Sequence, residues 1–261
     1  MRFKALGVIP ARWGSTRFPG KPLHPIAGKP LLQHVWERCQ KARKLEMVII
    51  ATDDIRIAEA AFSWGAEVAL TSEKHRSGTD RVAAVAKKAA EFTHIVNIQG
   101  DEPLIEARLI DRLVDELRRD REIEMITAAH PFPAEADARS PHQVKVVLDG
   151  SGDALYFSRA AIPFHGAGRT HGPAAPFFRH QGIYGYSREL LLRFVRWKLS
   201  PLERAESLEQ LRALENGVSI RVVVTDGGSP GVDTLADAVA LERELVRGSG
   251  KTPRRKRLDA Q

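Results

Sequence analysis

Between Arg12 and Lys21 the chain reads Arg-Trp-Gly-Ser-Thr-Arg-Phe-Pro-Gly-Lys, with Arg12, Arg17 and Lys21 spaced among two glycines and two hydroxyls. Glycines let backbone N–H groups approach an anion, and the arginines offer planar forks where the lysine offers a point charge. Such a loop suits phosphate, although a solvated basic turn would have the same composition. Two acids could complement it. Asp101 follows the apolar run Ile95-Val-Asn-Ile98, and Asp233 follows Val222-Val-Val224 by nine residues. Mg²⁺ takes one or two carboxylates together with phosphate oxygens and water, so Asp101 and Asp233 opposite a phosphate loop are candidate ligands. Each also reads as the cap of the helix that follows it. Arg159, the Arg179-His180 pair and Glu209-Gln210 are further polar residues beside apolar segments, with surface or satisfied-core readings open for each.

The elements that must hold these residues can be read from periodicity. Ala5–Ile9 is a short apolar run, Met47–Thr52 is a continuous one that predicts a buried parallel strand, and Glu67–Leu70 and His94–Gln99 read as a third and a fourth strand. Helical spacing follows each: Leu31 to about Arg43, Ile55–Trp64 behind Asp53-Asp54, a segment through Val82 and Val85 capped by Ser77 or Thr79, and Leu109–Leu117. Strict alternation predicts an α/β fold, a mostly parallel sheet sandwiched by helices. Ligands of such sheets sit beyond the carboxyl ends of the strands. That edge would gather the Arg12–Lys21 loop, Ser77-Gly78-Thr79 and the Gln99-Gly-Asp101 turn.

From about residue 123 to 187 the pattern changes to strands without long helices, which predicts an inserted mixed β-lobe within a single domain spanning residues 1–250. Asp149–Asp153 reads as a hairpin turn and 162–178 as an irregular loop. Helices are expected again at Arg188–Trp197 and Leu202–Glu215, the second carrying Glu209-Gln210, then a strand at Ile220–Val224 and a last helix to about Arg247.

Composition narrows the function classes. The net charge is +7, and residues 251–261 form a basic tail in which Lys251–Arg257 carries five positive charges without an apolar period. A frayed, solvated terminus accounts for that tail, so no nucleic-acid partner is expected. Apolar runs fall short of the ~20 residues of a membrane span, no signal peptide is legible, and Cys39 is the only cysteine. The expectation is a cytoplasmic protein without membrane insertion. No dinucleotide fingerprint or Walker loop occurs, and the nine histidines lack metal-site spacing.

Arg12-x-x-Ser15-Thr16-Arg17-x-x-Gly20-Lys21 resembles the signature loop of the CMP-sugar synthetases, a branch of the nucleotidyltransferases. Gln99-Gly-Asp-Glu-Pro103, Tyr156-Phe-Ser-Arg159, Arg179-His-x-Gly-Ile-Tyr-Gly-Tyr186, Leu208-Glu-Gln-Leu-Arg212 and Gly231-Val-Asp-Thr234 narrow the resemblance to the 3-deoxy-manno-octulosonate (Kdo) cytidylyltransferases, over about Phe3 to Leu245. The resemblance implies a nucleotidyltransferase-type fold, CTP and Kdo as substrates, Mg²⁺ dependence and a homodimer built through the β-lobe. It implies catalytic roles for Arg12, Lys21, Asp101 and Asp233, with Asp101 and Asp233 holding the metal. Arg12, Ser15 and Lys21 would hold the triphosphate, and Ser77, Gly78 and Thr79 the cytidine side. Gln99, Arg159, His180, Tyr184, Glu209 and Gln210 would line the sugar pocket, one arginine meeting the Kdo carboxylate.

Two residues depart from the pattern: Gln181 stands where an aliphatic residue is expected, and Leu235 where a helix-starting proline is common. The first touches the sugar side and leaves open an amino-substituted Kdo. A synthetase for sialic acid, a silent nucleotide- or sugar-binding regulator, and a nucleic-acid module resting on basicity alone are the competing readings. Arg12, Lys21, Asp101 and Asp233 together weigh against the regulator.

Overall fold

The apolar run after Lys4 forms β1 (Ala5–Ala11), which runs parallel to a strand on either side, as both its faces are apolar. Leu6 and Val8 point into one core cluster while Ala5, Ile9 and Ala11 point into the other. The computed structural model describes residues 2–14, 18–132, 135–164 and 176–248; Ser15, Thr16, Arg17 and the basic tail lie outside them.

After a two-stranded ribbon, β2 (Pro25–Ile26) with β3 (Lys29–Pro30), come α1 (Leu31–Cys39), β4 (Met47–Thr52), α2 (Ile55–Ser63) and β5 (Glu67–Leu70). Then follow α3 (Gly78–Lys88), β6 (His94–Asn97), α4 (Ala107–Arg119), β7 (Met125–Pro131), β8 (Lys145–Leu148), β9 (Ala154–Ser158) and β10 (Phe178–Ser187). Helices α5 (Arg188–Phe194), α6 (Pro201–Glu206) and α7 (Leu211–Glu215), strand β11 (Ile220–Val224) and α8 (Leu235–Gly248) end the described chain. The main path of the sheet is β11-β7-β10-β6-β1-β4-β5. Its pairings are parallel except around β10, which lies antiparallel to β6 and β7. One cluster packs α1, α2 and α4 on the sheet, and the other packs α3, α5 and α7. The α/β sandwich expected from the alternation is therefore present.

Four boundaries differ from expectation. Helix α1 stops at Cys39 rather than Arg43: Lys41 and Ala42 N–H donate to the carbonyls three residues back in tighter turns, and Asp111 Oδ1 accepts the N–H groups of Arg43 and Lys44 beyond them. Strand β10 is ten residues long, extending upstream of the expected Ile183–Tyr186. The strands of the expected 123–187 lobe join the central sheet itself: β7 and β10 lie on its main path, and the β8–β9 hairpin branches from it through antiparallel pairing of β8 with β10. The helix expected over 202–215 breaks: Ser207 adopts φ 53°, and Glu209 and Gln210 lie between α6 and α7.

Cys39 is buried, and desolvation pushes its thiol up, as befits an inert core residue. No helix among the described residues is long and apolar enough to cross a membrane.

His94 opens β6, stacks on Phe3 at 4.4 Å and hydrogen-bonds Thr93 Oγ1 through Nδ1 at 2.9 Å. Burial, with the charge of Arg121, lowers its pKa from 6.5 to about 4. The unfolded chain therefore takes up this proton first as pH falls below 6.5, and stability declines between pH 6.5 and 4. Between pH 7 and pH 5 the decline owed to His94 is at most about 2 kcal/mol. Urea unfolding at the two pH values should show that loss, and His94→Phe, which retains the stack, should show correspondingly less. An identical slope in the variant would contradict the assignment.

Candidate active site

Past the end of β1 lies Arg12, and the loop it begins returns through Gly20, whose φ of 69° is a left-handed conformation that glycine adopts without strain. Lys21 follows in a short 3₁₀ turn, Lys21–Leu23. Its Nζ donates to Asp101 Oδ2 at 2.6 Å and to the Val232 carbonyl at 3.0 Å, and lies 3.6 Å from Asp233 Oδ1. The loops bearing the two acids are also tied through the backbone, Val232 N–H donating to the Asp101 carbonyl at 2.8 Å. The helix-cap readings lose their main support. Glu106 occupies the N-cap position of α4, and Asp237 accepts from the N–H groups of Asp233 and Thr234. One ammonium lies beside two carboxylates, a pair that suits one hard cation with phosphate oxygens completing its shell.

A cavity of about 280 Å³ opens on this group, lined by Arg12, Lys21, Asp101 and Asp233, by Gln99, and by His75, Arg76, Ser77, Gly78 and Arg81. Ser77 caps α3 in a reciprocal box: its hydroxyl accepts from Asp80 N–H, and Asp80 Oδ2 accepts from Ser77 N–H, each at 3.1 Å. The positive end of α3 thus meets the cavity at Ser77 and Gly78. Thr79 does not line it; its hydroxyl donates to Glu209 Oε2 at 2.5 Å. Arg81 is buried and held by Asp53 Oδ2 at 2.6 Å. With Arg76 it adds arginine side chains to the cavity wall beyond those of the Arg12–Lys21 loop. The available signal was two arginines flanking Ser-Gly-Thr.

A second cavity, about 210 Å³, shares Asp101 and Asp233 with the first. Glu102, His130, Arg179, His180, Gln181, Gly182 and Ser229 complete most of its wall. Burial lowers the His180 pKa to about 3, so its ring is neutral. Thr127 Oγ1 donates to the Ile183 carbonyl at 2.7 Å and lies 2.9 Å from His180 Nε2. A hydroxyl has one proton, so Nε2–H donates to Thr127 and Nδ1 is left as an acceptor. Desolvation and the neighbouring Asp101 charge push the Glu102 carboxyl up to about 8. Neither Glu102 nor His130 was picked out from the sequence.

The remaining sugar-side candidates are distributed unevenly. Gln99 lines the first cavity, and its Cγ is among the nearest atoms to Gly182 of the second. Tyr184, Glu209 and Gln210 line neither cavity. The Tyr184 ring lies 5.4 Å from that of His180, and burial, with Glu209 and Glu102 nearby, holds its hydroxyl protonated. Burial likewise raises the Glu209 carboxyl against the pull of Thr79 and Arg212. Gln210 Nε2 is buried with no hydrogen-bond partner among the described residues. Arg159 stands apart from both cavities. Its Nε donates to the Glu206 carbonyl at 2.9 Å and its guanidinium to the Pro141 carbonyl at 3.1 Å, so it braces β9 and lines neither cavity. The arginine on the second cavity is Arg179.

A parallel-sheet edge that joins a cationic cavity to a second polar one across two acids defines a nucleotidyl-transferring class of protein. The chain belongs to the cytidylyltransferase family, whose model matches residues 6–220. It is 51% identical over 251 residues to the 3-deoxy-manno-octulosonate cytidylyltransferase of Solibacter usitatus, covering 95% of this chain and 98% of that one. Its identity to the protein of the same name from Syntrophobacter fumaroxidans is 48% over 248 residues, with 94% and 98% covered. A solved structure of CMP:2-keto-3-deoxy-manno-octonic acid synthetase complexed with CTP superposes with a TM-score of 0.89 at 40% identity, covering 94% of this chain and 99% of that one. Within its family, the chain belongs to the 3-deoxy-manno-octulosonate cytidylyltransferases.

Proposed function

We propose that this protein transfers the cytidylyl group of CTP to the anomeric hydroxyl of Kdo, giving CMP-Kdo and pyrophosphate for lipopolysaccharide assembly. The observation that carries the reading is the pair of cavities meeting at Asp101 and Asp233, one ringed by Arg12, Lys21, Arg76 and Arg81, the other holding Arg179 and His180. The hydroxyl oxygen bonds to the α-phosphorus as the bond to the β-phosphate oxygen breaks, and the hydroxyl proton is lost to solvent. Arg12 and Lys21 hold the triphosphate and stabilise charge as it moves to the leaving pyrophosphate. The α3 N-terminus supplies partial positive charge beside them.

Arg179 pairs with the sugar carboxylate, and neutral His180 accepts a sugar hydroxyl at Nδ1. Asp101 and Asp233 would hold Mg²⁺, which when bound neutralises phosphate charge and acidifies a hydroxyl coordinated to it. Positioning two anions in line accounts for the rest of the chemistry, with no covalent nucleophile. A cytoplasmic location and a homodimer belong to the same reading. Both rest on the family resemblance, the first also on the lone buried thiol.

The test is pyrophosphate release in the presence of CTP and Mg²⁺ with Kdo, with sialic acid, or with no sugar. Release is expected with Kdo alone. Release with neither sugar overturns the proposal, and release with sialic acid in preference to Kdo reassigns the substrate.

A further inference from the structure

Gln181, the polar residue in an expected aliphatic position, is 5% exposed and lines the second cavity. It also lines an adjoining cavity of about 540 Å³ beside α4 and the chain that follows β11. Its Nε2 donates to Thr225 Oγ1 at 3.0 Å and to the Gly227 carbonyl at 3.1 Å. A carbonyl only accepts, so this contact fixes which end of the amide faces the loop. Thr225 Oγ1 donates to the same Gly227 carbonyl at 2.8 Å. The segment so gripped, Thr225-Asp-Gly-Gly-Ser-Pro-Gly231, leads from β11 to Asp233 and is glycine-rich, so ordering it is entropically costly.

Gly228 is pressed on the imidazole of His130: a Cβ there would lie 2.5 Å from its Cδ2 and Nε2. Ser229, like Gln181, borders both cavities. This short stretch is a partition with Gln181 as its fastening.

We propose that Gln181 is a positioning residue for the sugar: its amide latches the 225–231 loop against His130 and so sets one wall of the sugar cavity. The inference rests on the Kdo-transfer reading above.

Removing the donor in Gln181→Leu should raise KM for Kdo about tenfold, the scale of one net hydrogen bond, and leave KM for CTP within about twofold. Gln181→Glu keeps the shape but turns a carboxylate toward the Gly227 carbonyl, so its effect should exceed that of Leu. A residue that merely fills volume would give the opposite order. Hydrogen exchange needs no substrate, and in both variants the amides of 225–231 should exchange about tenfold faster. Thr225→Val removes the latch from its other side and should act in the same direction, which preserves the test where the Gln181 variants do not fold. Wild-type turnover of Kdo combined with unchanged sugar KM or unchanged loop exchange in the variants overturns the inference. Wild-type inactivity toward Kdo instead overturns the underlying reading, and exchange alone then decides whether the latch exists.

Discussion

Asp101→Asn should lower kcat for cytidylyl transfer by about a thousandfold, the order of effect seen when a preorganised electrostatic contact to developing charge is removed. The substitution is isosteric. The Asp101 carbonyl would keep the Val232 N–H bond that ties the two acid loops together, so the backbone frame should survive. What changes is charge: the 2.6 Å ion pair to Lys21 is lost, and with it one of the two carboxylates available to a cation. Asp233 lies farther from Lys21, at 3.6 Å, and its side chain is 59% exposed against 32% for Asp101. Asp233→Asn should therefore cost less, about ten- to a hundredfold. Both variants should need more Mg²⁺ for half-maximal rate. Steady-state pyrophosphate release against Mg²⁺ concentration checks both, and wild-type turnover in Asp101→Asn at saturating Mg²⁺ would remove the metal from this position.

Sequence pattern was most reliable for the strands inside the sheet. Met47–Thr52 runs as expected, because a run that is both short and continuously apolar is too brief for a core helix and too apolar for a surface loop, and the edge strands Glu67–Leu70 and Ile220–Val224 also keep their expected bounds although each ends on an exposed residue. It was weaker along β10. There the pairing with β7 shifts between Gln181 and Tyr184, and polar Arg179-His180-Gln181 masks the strand's upstream half. The break at Ser207 was hidden for a different reason. Leu208, Leu211 and Leu214 keep a three-residue spacing directly beyond it, and no glycine or proline marks the turn.

At the site, residue type made Lys21, Asp101 and Asp233 legible, since a strand end with an acid facing a basic loop has a direct chemical meaning. Arg81, Glu102 and His130 were not legible. Their place on the cavities comes from tertiary packing: the flanking of Ser-Gly-Thr by Arg76 and Arg81 reads equally as surface charge, and nothing in the spacing of Glu102 distinguishes it from a solvent-facing charge on a turn. Arg159 sits in a suggestive motif away from both cavities, where the Glu206 and Pro141 carbonyls accept from its guanidinium.

The largest stability effect is expected at Arg212, whose side chain, like that of Glu203, is 8% exposed. The guanidinium meets both carboxylate oxygens of Glu203, Nε at 2.7 Å from Oε2, and lies over the Phe194 ring at 4.7 Å. It also lies 3.5 Å from Glu209. Arg212→Met removes the fork and leaves the Glu203 carboxylate buried without its countercharge, which should destabilise the fold by about 3–5 kcal/mol. Coulomb attraction barely offsets the desolvation of a buried pair, so Arg212→Met combined with Glu203→Leu should recover most of that loss. Urea midpoints of the two single variants and the double variant form the cycle that reads this coupling. The single variant should also affect the site. Burial already raises the Glu209 carboxyl, and without the Arg212 charge it should rise further, toward the neutral form, weakening its hold on Thr79 at the start of α3. Because α3 opens at the wall of the first cavity, KM for CTP should rise in Arg212→Met and stay raised in the double variant even as stability returns. A double variant that regained both stability and CTP affinity would show that Arg212 serves the fold alone.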